Sequence, residues 1–319
     1  MRVEGAVPKV VSPTRAEFTE RFVTPQKPVV ISGATKHWPA YSKWTTEYLR
    51  ATIGRKKVRV KESTSGIYPD LFSGTSSAYG EVEISDYIDL ITSKRPDRKR
   101  KYLSGDEIKI VSDYSDVDPE LAPLRNDFEP PEYCDREQIK TIGLWLSAQG
   151  VIASLHYDSD GSHNLNVQVK GKKRVLLFSP SQPVYPFTGV GPSRAPSNFS
   201  QINIVDPDEP RFPGFRAASC VEAIIEEGDM LFIPSYWHHA VFHEGDVNIN
   251  VNFWWQPTDF RLNKTSYRAT FLTILDSALS GGKADPDATR AKKALESLSP
   301  ETQRILKQME DLIPRQYRL

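Results

Sequence analysis

Two short stretches hold metal-ligating side chains at a workable spacing. In Ser154-Leu155-His156-Tyr157-Asp158 an imidazole and a carboxylate stand two positions apart, and in a strand residues i and i+2 project from one face toward a common point. A third donor must come from elsewhere. Further along, Phe232-Ile233-Pro234-Ser235-Tyr236-Trp237-His238-His239-Ala240-Val241 offers two more imidazoles, and either His238 or His239 would complete a set of two histidines and one carboxylate. That set is the facial triad of non-haem Fe(II) oxygenases, which leaves positions on the metal open for a chelating co-substrate and O2.

A His-x-Asp alone carries little weight, because histidine is so often a half-buried polar residue. Its surroundings add more. Asn164-Leu165-Asn166-Val167-Gln168-Val169-Lys170 alternates between polar and apolar, Gly171 follows, and Lys172-Lys173-Arg174-Val175-Leu176-Leu177-Phe178-Ser179-Pro180 returns, the pattern of two strands joined at a glycine. In Asn248-Ile249-Asn250-Val251-Asn252-Phe253-Trp254-Trp255 the even positions are Asn, Asn, Asn and Trp and the odd ones Ile, Val, Phe and Trp. An amide-lined face with an apolar reverse suits a barrel whose lumen takes a polar ligand, since a packed lumen would be apolar.

Taken in order, His156-Tyr157-Asp158, Asn164, the run from Gln168 to Pro180, Glu227-Gly228-Asp229-Met230-Leu231-Phe232-Ile233-Pro234 and Val251-Asn252-Phe253-Trp254 resemble the cupin-like JmjC hydroxylases. So do Pro28-Val29-Val30-Ile31-Ser32-Gly33-Ala34 and His37-Trp38-Pro39-Ala40, so the likeness covers most of the chain. It implies a mainly β fold, a double-stranded β-helix (jelly-roll) with N-terminal α/β decoration and C-terminal helices. It implies an Fe(II)- and 2-oxoglutarate-dependent dioxygenase that consumes O2. Within the family the chain is similar to the hypoxia-factor asparaginyl hydroxylases and the tRNA wybutosine hydroxylase; Lys43-Trp44-Thr45, Gly171-Lys172-Lys173-Arg174-Val175 and Ile274-Leu275-Asp276 lean toward the latter.

The resemblance also assigns residues. In relatives the third ligand lies five positions after the proline that closes the preceding strand; counted from Pro234 this is His239, which leaves His238 structural. Lys173 stands at the place of the lysine that meets the far carboxylate of 2-oxoglutarate, a charge that is costly to bury without a cation. Asn164 and Asn252 match polar residues around the co-substrate, and Trp254 its aromatic wall. One position departs from the pattern: where many relatives carry Thr or Ser touching the co-substrate, this chain has Ala153, and Ser154 beside it should point the other way. His37, His163 and His243 read as structural or surface residues.

The elements that must position these groups follow from composition and period. The 319 residues are 39% hydrophobic and 10% aromatic, ordinary for a chain with a full core. Zero formal net charge disfavours broad non-specific nucleic-acid binding. No apolar run approaches a membrane span, and the first residues lack the apolar core of a signal peptide. An intracellular location, cytoplasmic or nuclear, and no membrane partner are therefore expected. Cys134 and Cys220 should be buried free thiols of a reducing compartment.

Residues 1–140 are expected to buttress the barrel with helices and strands, 141–258 to form the barrel of about eight short strands, and 259–319 to be helical. Within the first part we expect a helix over Thr14–Phe22, a strand at Val29–Ile31, a helix capped by Thr45, a lysine-protected edge strand over Lys56–Lys61, a loop over 62–83, a helix over Ile84–Ile91 and a surface connection over 112–139. The proline-rich stretch 181–217 reads as a long insertion serving as lid or substrate wall. After the barrel, Phe271, Ile274, Leu275 and Ala278, then Ile305, Leu306, Met309 and Leu312, form apolar helical stripes that need cover, and a homodimer through these helices is expected.

Three classes of function are compatible with the ligand set. An oxygenase acting on tRNA or on a protein side chain, by hydroxylation or demethylation, leads. A zinc hydrolase with the same ligands lacks an obvious general base, and a non-catalytic binding cupin would not need an intact triad. Basic clusters at Arg55–Lys61 and Lys94–Lys101 are candidate contacts for RNA phosphates. The residues leave tRNA and protein equally open.

Overall fold

The computed structural model describes residues 1–69, 71–72, 78–93, 100–102, 109–112, 116–158, 161–186, 198–255, 271–272, 275, 279 and 289–304. Eight strands build the centre: β1 (Ile139–Ala148), β2 (Ile152–His156), β3 (His163–Lys170), β4 (Lys172–Phe178), β5 (Ser219–Glu226), β6 (Asp229–Ile233), β7 (His238–His243) and β8 (Val247–Trp255). They divide into two antiparallel sets, β5-β4-β7-β2 in one sheet and β6-β3-β8-β1 in the other. This is the jelly-roll order. The turn from β3 to β4 is made by Gly171 at φ 85°, where a Cβ would meet the Val247 carbonyl oxygen at 2.4 Å, so no larger residue fits.

The N-terminal part extends both sheets. Arg2–Ala6 runs parallel to β5, while Val29–Ser32 pairs with β6 and is itself flanked by Lys9–Val11. Period two decides what each face buries. On β8 the side chains of Ile249, Val251 and Phe253 turn outward with Leu165 and Val167 of β3, and join a cluster with Phe18, Phe22, Trp38, Trp44 and Tyr87. Each large side chain buried there contributes roughly 1.5–3 kcal/mol. Between the sheets Val175, Leu177, Ile225, Leu231, Ile233 and Val241 form a second cluster, and the amides of Asn164, Asn166, Asn250 and Asn252 are buried on the other side of their strands.

The helices start where capping residues stand. Thr14 and Glu17 exchange the two bonds of a capping box ahead of Arg15–Phe18, with one turn of π-helix continuing to Val23. Thr45 Oγ1 accepts from the Tyr48 N–H at 3.1 Å ahead of Thr46–Ile53. Asp127 then ties this region together: its buried carboxylate accepts from Lys43 Nζ at 2.7 Å, Trp44 Nε1 at 3.0 Å and the Tyr48 hydroxyl. The expected helix at Ile84 spans Ile84–Thr92.

Several expectations need correction. Lys57–Ser63 is an edge for only its first half, because Ala78–Glu83 pairs along Lys57–Glu62 on one side and Arg100–Tyr102 pairs at Lys61–Ser63 on the other. Residues 62–83, expected as loop, contain the strands Ile67–Tyr68 and Ala78–Glu83; the first pairs with the distant β2 and the second folds back on Lys57–Glu62, and β pairing follows neighbours more than local composition. The connection over 112–139 is not confined to the surface, since Leu121, Leu124, Phe128, Tyr133 and Cys134 are buried. Both cysteines are free and buried. Among the described residues no helix is long and apolar enough to cross a membrane. The basic residues of 94–99, the middle of the insertion at 187–197, and Ile274, Ala278, Ile305, Leu306, Met309 and Leu312 of the apolar stripes lie outside the described residues.

Candidate metal and co-substrate site

Strands β2 and β7 are neighbours, and their register sets His156 directly opposite His239. The two rings lie 4.4 Å apart between centroids. Asp158 follows just beyond the end of β2, its Oδ1 4.0 Å from His239 Nε2, and the three residues offer ligand atoms all within 4.8 Å of one another. Each imidazole is oriented by its own strand: His156 Nδ1 is 2.6 Å from the Ser154 carbonyl oxygen, and His239 Nδ1 is 3.0 Å from that of Trp237. A carbonyl only accepts, so Nδ1 carries the proton in both rings and each Nε2 lone pair is left for a metal. Burial, and then the neighbouring His239, hold His156 well below the usual histidine range; the neutral ring is the ligating form.

The carboxylate is held as firmly. Asp158 Oδ2 accepts from Asn164 Nδ2 at 3.0 Å and from Trp254 Nε1 at 3.1 Å, while Oδ1 faces His239. Two residues assigned by resemblance to the co-substrate therefore also fix the carboxylate of the donor set. This is the outer-shell support that orients a ligating carboxylate.

The triad opens into a cavity whose lining includes Trp145, Ala153, Asn164, Asn166, Lys173, Val241, His243, Asn252 and Trp254. Lys173, on β4, is 2% exposed, and its ammonium donates to Asn250 Oδ1. Desolvation pushes its pKa well down, and no carboxylate among the described residues counters it. A buried cation with only an amide for company suits an incoming anion. The donor set at one end and this ammonium at the other fit a metal together with a 2-oxo acid that carries a second carboxylate.

The remaining histidines separate cleanly. His238, one position before His239, is fully buried with no hydrogen-bond partner on either ring nitrogen among the described residues and packs edge-on against Tyr157 at 5.0 Å, turned away from the cavity. His163 accepts from the Ser235 N–H at 3.1 Å, and His37 is a surface residue beside Glu129. His243 is different from its sequence reading as a structural or surface residue. It lines the cavity and pairs in register with Lys173, its Nδ1 donating to the Val151 carbonyl at 2.9 Å. Period two along β7 from His239 through Val241 to His243 was the available signal. Ala153 lines the cavity, and Ser154 Oγ donates away from it to the Pro69 carbonyl at 2.7 Å.

The far end of the insertion returns to the site. Tyr157 N–H donates to the Asn198 carbonyl at 3.0 Å and Ser200 N–H to that of Leu155 at 2.9 Å, which lays Phe199 against His156 at 5.4 Å and 25° between ring planes. No pattern in that proline-rich stretch singled out Phe199.

The fold is that of a cupin carrying an N,N,O donor set, and comparison with known proteins agrees on the family. The profile of the cupin-like domain family matches residues 15–260. Lysine-specific demethylase 8 of Xenopus tropicalis is 30% identical over 260 residues, 79% of this chain and 53% of its own. The tRNA wybutosine-synthesizing protein 5 of Homo sapiens is 29% identical over 290 residues, 86% of this chain and 88% of its own. Lysine-specific demethylase JMJ30 of Arabidopsis thaliana is 29% identical over 245 residues, 75% of this chain and 52% of its own. The chain belongs to the cupin-like family of JmjC type. It spans about half the length of the demethylase relatives.

Proposed function

We propose that this chain is an Fe(II)- and 2-oxoglutarate-dependent oxygenase that hydroxylates a C–H bond of a macromolecular substrate. The observation that carries the reading is the presence, in one cavity, of an N,N,O donor set and a buried lysine with no carboxylate partner among the described residues. In this reading His156, Asp158 and His239 hold the metal. Lys173 receives the far carboxylate of the 2-oxo acid, with Asn252 and His243 beside it. Asn164 and Trp254 keep Asp158 in its ligating orientation, Trp145 lines the cavity and Phe199 packs against His156. The bound iron supplies O2 chemistry in which the 2-oxo acid is oxidised to succinate and CO2 while one oxygen atom passes to the substrate.

For the substrate we favour a modified base in tRNA over a protein side chain. The match to the human tRNA wybutosine-synthesizing protein 5 takes in 88% of that protein, against 53% for the frog demethylase, so the likeness extends over nearly the whole of the former. An intracellular site of action, cytoplasmic or nuclear, goes with this choice. The test is succinate release by the full chain with Fe(II) and 2-oxoglutarate, with tRNA or cell protein from a strain lacking the gene as substrate. Stimulation by tRNA, with one nucleoside gaining the mass of one oxygen atom, is the expected result. Stimulation by protein alone moves the activity to a side chain, and succinate release that neither addition raises rejects both substrates. The apolar stripes that the sequence places after the barrel further lead us to propose a homodimer, which sedimentation of wild type against Leu306→Asp checks; a monomeric wild type refutes it.

A further inference from the structure

Four hydrogen bonds join the two ends of the cavity without a break. Lys173 Nζ donates to Asn250 Oδ1, Asn250 Nδ2 to Asn252 Oδ1, Asn252 Nδ2 to Asn164 Oδ1 at 2.9 Å, and Asn164 Nδ2 to Asp158 Oδ2 at 3.0 Å. The three amides are 1–3% exposed. Asn250 and Asn252 are two apart on β8, Asn164 lies on the neighbouring β3, and Lys173 reaches in from β4 of the opposite sheet.

The two ends dictate the sense of the whole row. An ammonium can only donate and an ionised carboxylate only accepts, so every amide must turn its oxygen toward Lys173 and its NH2 toward Asp158. Reversing one amide sets donor against donor on one side and acceptor against acceptor on the other, in a place where water cannot repair the fault. The remaining amides then have to turn as well, or stay unsatisfied.

We infer that Asn250 and Asn252 are positioning residues that couple the metal ligand Asp158 to the carboxylate-binding Lys173. This deepens, and rests on, the oxygenase reading above. The orientation of the Asn164 amide, and with it the bond that holds Asp158, is set from the lysine end through two side chains of which Asn250 touches no member of the triad. Coupling of this kind is reciprocal: a metal on Asp158 favours the row that presents Lys173, and an anion on Lys173 changes how the metal is held. Position 250 therefore influences metal affinity from the other end of the cavity.

The experiment is calorimetric titration of the full chain with Mn(II), with and without 2-oxoglutarate, for wild type, Asn250→Leu and Asn250→Asp. Leucine interrupts the row. Aspartate keeps the shape and the bond from Lys173 but offers no donor to Asn252, which forces the reversal along to Asp158. Both variants are expected to bind Mn(II) about tenfold more weakly without 2-oxoglutarate, the lower end of what loss of outer-shell support does to metal affinity. Both should also lose most of the factor by which 2-oxoglutarate tightens Mn(II) in wild type. Thermal midpoints measured without metal report whether each variant is folded, and the near-isosteric aspartate carries the test if leucine is not tolerated. A folded variant with wild-type Mn(II) affinity and wild-type enhancement by 2-oxoglutarate overturns the coupling and leaves the oxygenase reading standing. A wild type that binds no Mn(II) overturns both.

Discussion

The two ends of one cavity treat charge in opposite ways. At the metal end, Asp158 accepts from Asn164 and Trp254, and the facing imidazoles each have Nδ1 tied to a carbonyl. At the other end, Lys173 is buried with a single amide oxygen as its partner among the described residues, and desolvation drives its pKa down. The first end is pre-organised, so a ligand there meets groups already in place. The second is held in a state that an arriving anion improves. A buried cation without a counter-charge among the described residues is a sharper pointer to a ligand than a satisfied cluster, because none of those residues accounts for it.

Removing one end at a time tests this contrast. Asp158→Ala should have the largest effect: no measurable metal uptake in a Mn(II) titration and no succinate release, with a thermal midpoint close to wild type because the residue sits just past a strand end and is not fully buried. Metal uptake or succinate release equal to wild type would show that the donor set is not the metal site. Lys173→Ala strikes the opposite end. Truncating one member of a buried charge pair costs about 3–5 kcal/mol, and at about 1.4 kcal/mol per decade the 2-oxoglutarate requirement should rise on the order of a hundredfold or more. Lys170→Ala, an exposed residue three positions earlier on β3, should leave it unchanged. Saturation curves for 2-oxoglutarate that coincide for both variants and wild type would make Lys173 irrelevant to the co-substrate.

The chemistry was legible in the sequence wherever it follows from period two on a single strand. His156 with Asp158, and Asn248, Asn250 and Asn252 with their aliphatic alternates, could be placed on common faces without knowing any partner. The choice of His239 over His238 was not available from the residues themselves. It rested on resemblance, and the structure supplies the reason: His239 lies opposite His156, with Val241 and His243 on the same side, while His238 turns to Tyr157. His243 was legible by the same rule and was missed because it was considered alone. Phe199 was not legible, since backbone bonds to the Leu155–Tyr157 segment far earlier in the chain place it. The strand Ala78–Glu83 was missed because the Ser- and Gly-rich composition around it reads as loop, although it folds back on Lys57–Glu62. Nor could any reading of one strand show that Asn250 reaches Lys173 on one side and Asn252 on the other.

The pairing of β2 with β7 has a consequence for how the protein comes to exist. His156 and His239 belong to distant parts of the chain, and they face each other only once the roll has closed around β3 to β6. Non-local pairings of this kind form slowly, and until they form there is no N,N,O donor set for a metal to find. A metal that binds only the closed form draws the equilibrium toward it, by about 2.7 kcal/mol at a free concentration one hundred times its dissociation constant. The supply of that metal would then set not only how many molecules carry a filled site but, for a fold of marginal stability, how many remain folded.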